Sequence, residues 1–82
     1  MGMLSNILIL TQNKMSIVEP CKQIYINHFR EDGRYHIITN YNNGDYDDLG
    51  RYRKSSTCEQ IVLDILKAIA SGETSFIMPP DN

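Results

Sequence analysis

This chain has little of what usually announces a function. It carries only two cysteines, Cys21 and Cys58, too few and too far apart for a disulfide framework or a zinc site. That sparing use fits a reducing cytoplasm, which is the expected setting. Long apolar runs are missing as well: residues 6–10, NILIL, are far too short for a membrane span or the core of a secretory signal, so no membrane partner is expected. Basic charge is not in excess either. Eight Lys and Arg stand against ten Asp and Glu, mixed along the chain for a net charge of -2, and this disfavours nucleic acid as a partner. Internal repeats, linkers and low-complexity tracts are absent. So are a nucleophile elbow, a phosphate loop and a dinucleotide fingerprint. Neither a cofactor nor catalysis by a single copy of the chain is expected.

What is present is globular: 41% hydrophobic residues and five tyrosines in 82 residues, enough for one small domain. A domain of this size buries only about 60–65 per cent of its unfolded surface, so association with further copies is a reasonable default. The dominant stretch is 55–72, SSTCEQIVLDILKAIASG. Its residues Cys58, Ile61, Val62, Ile65, Leu66 and Ile69 recur at the helical period and predict one buried stripe. Ser56 with Glu59 has capping-box spacing, and Gly72 supplies the left-handed residue that commonly ends a helix. Leu63 and Ala70 lie off the stripe. They read either as ordinary exposed side chains or, with Phe76 and Met78 of the closing segment, as an interface for a partner subunit.

Before the helix the pattern is that of strands. Residues 6–11 form a continuous apolar run suited to a central strand. A turn at 12–14 leads to a short strand over 15–18, which Pro20 ends. Residues 23–27 alternate, with Ile24 and Ile26 on one face and Tyr25 on the other. Asp32-Gly33 and Asn43-Gly44 are hairpin signals. Between them, Tyr35, Ile37 and Thr39 share one face of the strand 34–41, and His36 and Ile38 the other. The strand 46–53 is expected to kink near Gly50, and 75–78 forms a last strand stopped by Pro79-Pro80. The fold class is α+β: an antiparallel meander, as a flat sheet or a partly open barrel of the pleckstrin-homology kind, covered by one C-terminal helix and followed by a short terminal strand.

Three groups of side chains invite a chemical reading. His28 and His36 flank the first hairpin and face each other if its loop has three residues. Two histidines make half a metal site, and no further ligand stands at the right spacing, so no metal is expected. Asp45, Asp47 and Asp48 follow the second turn. Counted from Asn40 as a calcium loop, the glycine falls one place early and Arg51 stands where a closing glutamate is needed. Arg51, Arg53 and Lys54, with Tyr52 turned inward between them, form the one basic cluster. Close to a helix N-terminus they are candidates to bind an anion or phosphate. Pairing with the nearby aspartates is the alternative.

Several short stretches taken together carry a resemblance: Thr11-Gln12-Asn13-Lys14, Ile24-Tyr25-Ile26, Leu49-Gly50-Arg51-Tyr52 and the closing Met78-Pro79. In these the chain is similar to a loose group of short, uncharacterised proteins of Gram-positive bacteria and their phages. It departs from that group where a charged first helical turn is usual, since 53–57 here is basic and hydroxyl-rich. The resemblance implies a bacterial or phage cytoplasmic setting and supplies no site residues.

Three functions are thereby set against each other. The first is a non-catalytic interaction or accessory protein that self-associates and binds an as yet unidentified protein partner. The second is a phage-type antagonist of a host defence system, sequestering a nucleotide signal through Arg51, Arg53 and Lys54 or masking a nuclease. The third is a small enzyme with a site between subunits, using His28, His36 or an aspartate.

Overall fold

In the computed structural model, residues 7–20 and 22–81 are described. The Met1-Gly2-Met3 start, Asn6 and Cys21 lie outside the described residues. The order of elements is β1 (Leu8–Leu10), β2 (Ile17–Val18), β3 (Gln23–His28), β4 (Tyr35–Asn40), β5 (Tyr46–Tyr52), α1 (Ser55–Ala70) and β6 (Ser75–Ile77). The α+β class and the covering helix agree with the sequence. The sheet arrangement differs from a single meander or a barrel: there are two three-stranded sheets, and no closed barrel forms.

Strands β3, β4 and β5 make the expected antiparallel meander, turned by Gly33 and Gly44 in the left-handed region, at φ +68° and +92°. The second sheet has the order β2-β1-β6, with β1 antiparallel to β2 and parallel to β6. The parallel pairing was not foreseen. A parallel neighbour needs a long crossover, and the whole of β2 to α1 serves as one, returning the chain to the strand where it began.

Gln12 joins the two sheets. Its backbone N–H donates to the Leu49 carbonyl at 2.8 Å, while its side-chain amide both donates to the Arg51 carbonyl and accepts from the Arg51 N–H, each at 2.9 Å. One side chain thus replaces a strand along the outer edge of β5. A single core results, in which Ile7, Ile9 and Val18 meet Ile37, Leu49 and Tyr52 under Cys58, Ile61 and Ile65 of α1. Full burial of each such isoleucine contributes about 1.5–3 kcal/mol.

Two details of the helix differ from expectation. The residue before its first turn is Lys54, in extended conformation, and no side-chain cap forms. With Lys54 as the capping residue, Ser56 and Glu59 stand two positions too far into the helix to close a capping box. Leu66 is 59% exposed although it lies on the apolar stripe. β3 is an edge strand, so no part of the chain among the described residues lies beyond it to cover the overhanging side of α1. The C-terminus follows the pattern: the Gly72 N–H donates to Ile69 and the Glu73 N–H to Ala68, a Schellman closure with Gly72 at φ +79°.

The expected kink in β5 is a bulge. Ile37 pairs with Gly50 and Ile38 with Asp48, leaving Leu49 as the extra residue. A side chain at position 50 has no room: a Cβ there would lie 2.9 Å from the Tyr52 hydroxyl and 3.1 Å from the Gln12 Cβ. Gly50→Ala is therefore expected to cost about 1–3 kcal/mol through overpacking, seen as a melting-temperature drop of roughly 5–20 °C. An unchanged melting temperature would show that the contact yields freely.

Candidate functional site

The bulge decides which side chains of β5 meet. In an unbroken strand, residues three apart point to opposite faces. The extra residue at Leu49 instead places Asp48 and Arg51 on the same side, facing away from the core, and lets Leu49 and Tyr52 both turn inward. On that outer side lies His36 of β4, paired in register with Arg51 and 6% exposed.

Both ring nitrogens of His36 meet carboxylates. Nδ1 is 2.5 Å from Oδ2 of Asp48, and Nε2 is 2.8 Å from Oδ2 of Asp32, in the turn between β3 and β4. That same Asp32 oxygen lies 3.7 Å from the Arg51 guanidinium, and the other Asp32 oxygen accepts the Arg34 N–H at 2.9 Å. The Phe29 ring lies against the imidazole, with centroids 4.3 Å apart. A carboxylate only accepts, so satisfying both at once requires the ring to donate on both sides, as an imidazolium does. Burial alone works against that charge, but the hydrogen bonds from Asp48 and Asp32, with their negative charges, outweigh it and hold His36 above its ordinary value. The Asp32 carboxyl is held below its usual value, first by the Arg34 N–H and then, against some desolvation, by His36 and Arg51.

A second ionic group lies before α1. Asp81 accepts from the Arg53 backbone N–H at 3.1 Å, and its carboxylate is 3.7 Å from the guanidinium groups of both Arg53 and Arg34. The basic trio of the sequence is thus divided. Arg51 turns to Asp32, Arg53 to Asp81, and Lys54 stands at the helix start. The arginines do face aspartates, though not the sequence neighbours Asp45, Asp47 and Asp48. Asp47 accepts from the Tyr41 hydroxyl, and Asp45 from the Asn43 amide.

The two histidines do not face each other. His28 pairs with Tyr35 and stacks on its ring at 4.5 Å, whereas His36 pairs with Asn27. The loop between the strands runs over residues 29–34, longer than three residues, and successive positions alternate between faces. Among the described residues no group of three or more His, Cys, Asp or Glu is arranged to hold a metal ion. Of the residues read as an interface, Leu63 is 43% exposed and Ala70 is exposed, while Phe76 is half-buried against the core. Met78 is 1% exposed and belongs to the core. It follows the last strand position, where alternation from Phe76 turns it inward.

Gln12, Asn13, His36, Asp48 and Arg51 line an open polar hollow of about 530 Å³. Chemically it is quiet. While it carries both ring protons, each directed at a carboxylate, His36 has no lone pair to take a further one. The Cys58 thiol lies in the core against the Tyr35 carbonyl, and burial pushes its pKa up to about 11. Asp32, Asp81 and Gln12 had no signal in the sequence beyond being polar residues in turns or at the chain end. His36, Asp48 and Arg51 were each singled out in the sequence, but in three separate groups rather than as one site. Family models, curated proteins and solved structures yield no match to the chain.

Two outcomes are expected. Because His36 binds its proton more tightly folded than unfolded, its contribution to stability is complete below the ordinary value near 6.5 and is lost as pH rises through the folded value. Asp32 acts in the opposite sense, its contribution being lost as pH falls below its ordinary value of 3.8. Denaturant unfolding across pH should show stability falling on the alkaline side for the native chain and a flatter profile for His36→Gln. The Cys58 thiol should resist an aromatic disulfide reagent at pH 8 until denaturant is added. Prompt labelling of the folded chain would contradict its placement.

Proposed function

We propose that this chain is a non-catalytic interaction protein that self-associates through the outer face of the β2-β1-β6 sheet. The observation that carries this reading is a row of apolar side chains pointing outward. Ile9 turns into the core, so Leu8 and Leu10 turn out. Ile17 and Ile77, both paired with Leu10, flank it on either side. Ile17 is 69% exposed and Ile77 63%, and neighbouring strands place them about 5 Å from Leu10 on each side. Burying apolar side chains in the core and also exposing a row of them is hard to explain for a chain that works alone.

The occupant is a second copy. No charged residue stands on β1, β2 or β6, so two copies meeting face to face encounter no like charges, and the face is complementary to itself across a twofold axis. β6 also has an open edge. The Thr74 carbonyl and the Met78 N–H are bonded to β1, so the alternation of a parallel ladder turns the backbone groups of Ser75 and Ile77 away, free to extend the pairing. The quiet chemistry at His36 and Cys58 supports the non-catalytic half of the reading. The bacterial or phage setting rests on the resemblance alone.

Sedimentation measured over a range of concentrations tests this. The native chain should sediment as a dimer or larger, and Ile17→Lys with Ile77→Lys should shift it to monomer with little change in melting temperature, both side chains being exposed. Leu63→Lys, on the helix, should leave the assembly intact. A monomeric native chain overturns the self-association, and an assembly broken by the helix substitution alone moves the interface to α1.

A further inference from the structure

The carboxylates that hold His36 come from two parts of the fold with different freedom to move. Asp48 belongs to the bulged strand β5, where its second oxygen accepts the Gly50 N–H at 3.2 Å, so it is part of the sheet. Asp32 belongs to the exposed turn after β3. That turn is otherwise closed by its own hydrogen bonds: Phe29 N–H to the Arg34 carbonyl, Gly33 N–H to the Phe29 carbonyl, and Arg34 N–H to Asp32. Its side-chain ties to the sheet pass through Asp32, at 2.8 Å to His36 of β4 and at 3.7 Å to Arg51 of β5, while Arg34 at the end of the turn lies 3.7 Å from Asp81.

We propose that His36 is a proton-operated latch: the doubly protonated ring ties the β3–β4 turn to β5, and loss of one ring proton frees the turn. With a single ring proton left, one of the two contacts becomes a nitrogen lone pair facing a carboxylate, which repels. Asp48 is held by the sheet and by Gly50, so the contact that parts is the one to Asp32. The charged groups facing the ring are Asp32 from the turn, Asp48 from β5 and, behind Asp32, Arg51 from β5. The turn also brings the uncharged Phe29 ring, and β3 brings Asn27, the register partner of His36. Opening also changes the polar hollow. Its wall loses the imidazolium charge, and Arg51 loses the anchored carboxylate it leans on.

Nitrogen-15 spectra of the histidine rings, recorded across pH on the full chain, should show both His36 nitrogens protonated below the ordinary value near 6.5, with a titration midpoint above that value. Amide exchange at Phe29, Gly33 and Arg34, corrected for intrinsic base catalysis, should rise about tenfold as His36 loses its proton, the equivalent of one charged hydrogen bond. Amides in the centre of β4 should not follow. Asp32→Asn keeps the turn's own bond to Arg34 and removes the charge. It should lower the His36 midpoint and leave the turn exchanging fast at every pH. A His36 ring with one bare nitrogen below the ordinary value near 6.5 overturns the latch. So does turn exchange that ignores the His36 transition, or an Asp32→Asn chain whose turn stays as protected as the native one.

Discussion

A single extra residue in β5 governs much of what this molecule presents. With Leu49 bulged out of the ladder, the face assignment of every residue after it is inverted, and two consequences follow together. Tyr52 enters the core, where its hydroxyl donates to the Pro79 carbonyl at 2.8 Å and holds the C-terminal segment down. Arg51 moves to the side of Asp48, beside His36. Without the bulge, Tyr52 would face water and the ionic cluster would lack its arginine. Gly50 is the condition for this arrangement, because the Tyr52 ring and Gln12 occupy the space a Cβ would need.

Gln12 holds the same place from outside. A bulge leaves backbone groups of the ladder short of partners, and an edge strand leaves a whole row of them. The side-chain amide of Gln12 supplies both a donor and an acceptor to Arg51, just past the bulge. The two sheets are thereby joined at the point where β5 is least regular. The edges of the molecule are treated unequally as a result. β5 is sealed at its bulge, whereas β6 keeps an open edge beside the outward row of Leu10, Ile17 and Ile77. That asymmetry is what directs the functional reading to the β2-β1-β6 sheet.

The ionic groups share one design. Each carboxylate lies between two cationic side chains: Asp32 between its near neighbour His36 and the distant Arg51, Asp81 between Arg34 and Arg53, both distant. The arginines are largely exposed, so these pairs add little stability one by one. His36 differs because it is buried and bonded on both sides, so its proton is part of the packing around it.

How much of this was legible depends on range. The helix over Ser55–Ala70, the glycine that ends it, both hairpin turns and the alternation of Tyr35, Ile37 and Thr39 against His36 and Ile38 could be read from the chain, since each is dictated by residues a few positions apart. Even the irregularity at Gly50 showed. So did the inward turn of Tyr52 between Arg51 and Arg53. That Arg51 lands on the side of Asp48 did not, because a kink in a sequence does not say which residue is extra, and a shift of one inverts every face beyond it. The same limit hid the parallel return of β6 to β1, the Gln12 bridge, and the pairing of Arg51 and Arg53 with Asp32 and Asp81 rather than with their nearer neighbours. Local periodicity and turn chemistry belong to the sequence by itself. Which carboxylate meets which cation, and which apolar face stays outside, were decided only by tertiary packing, because those choices depend on register between segments that the chain brings together from afar.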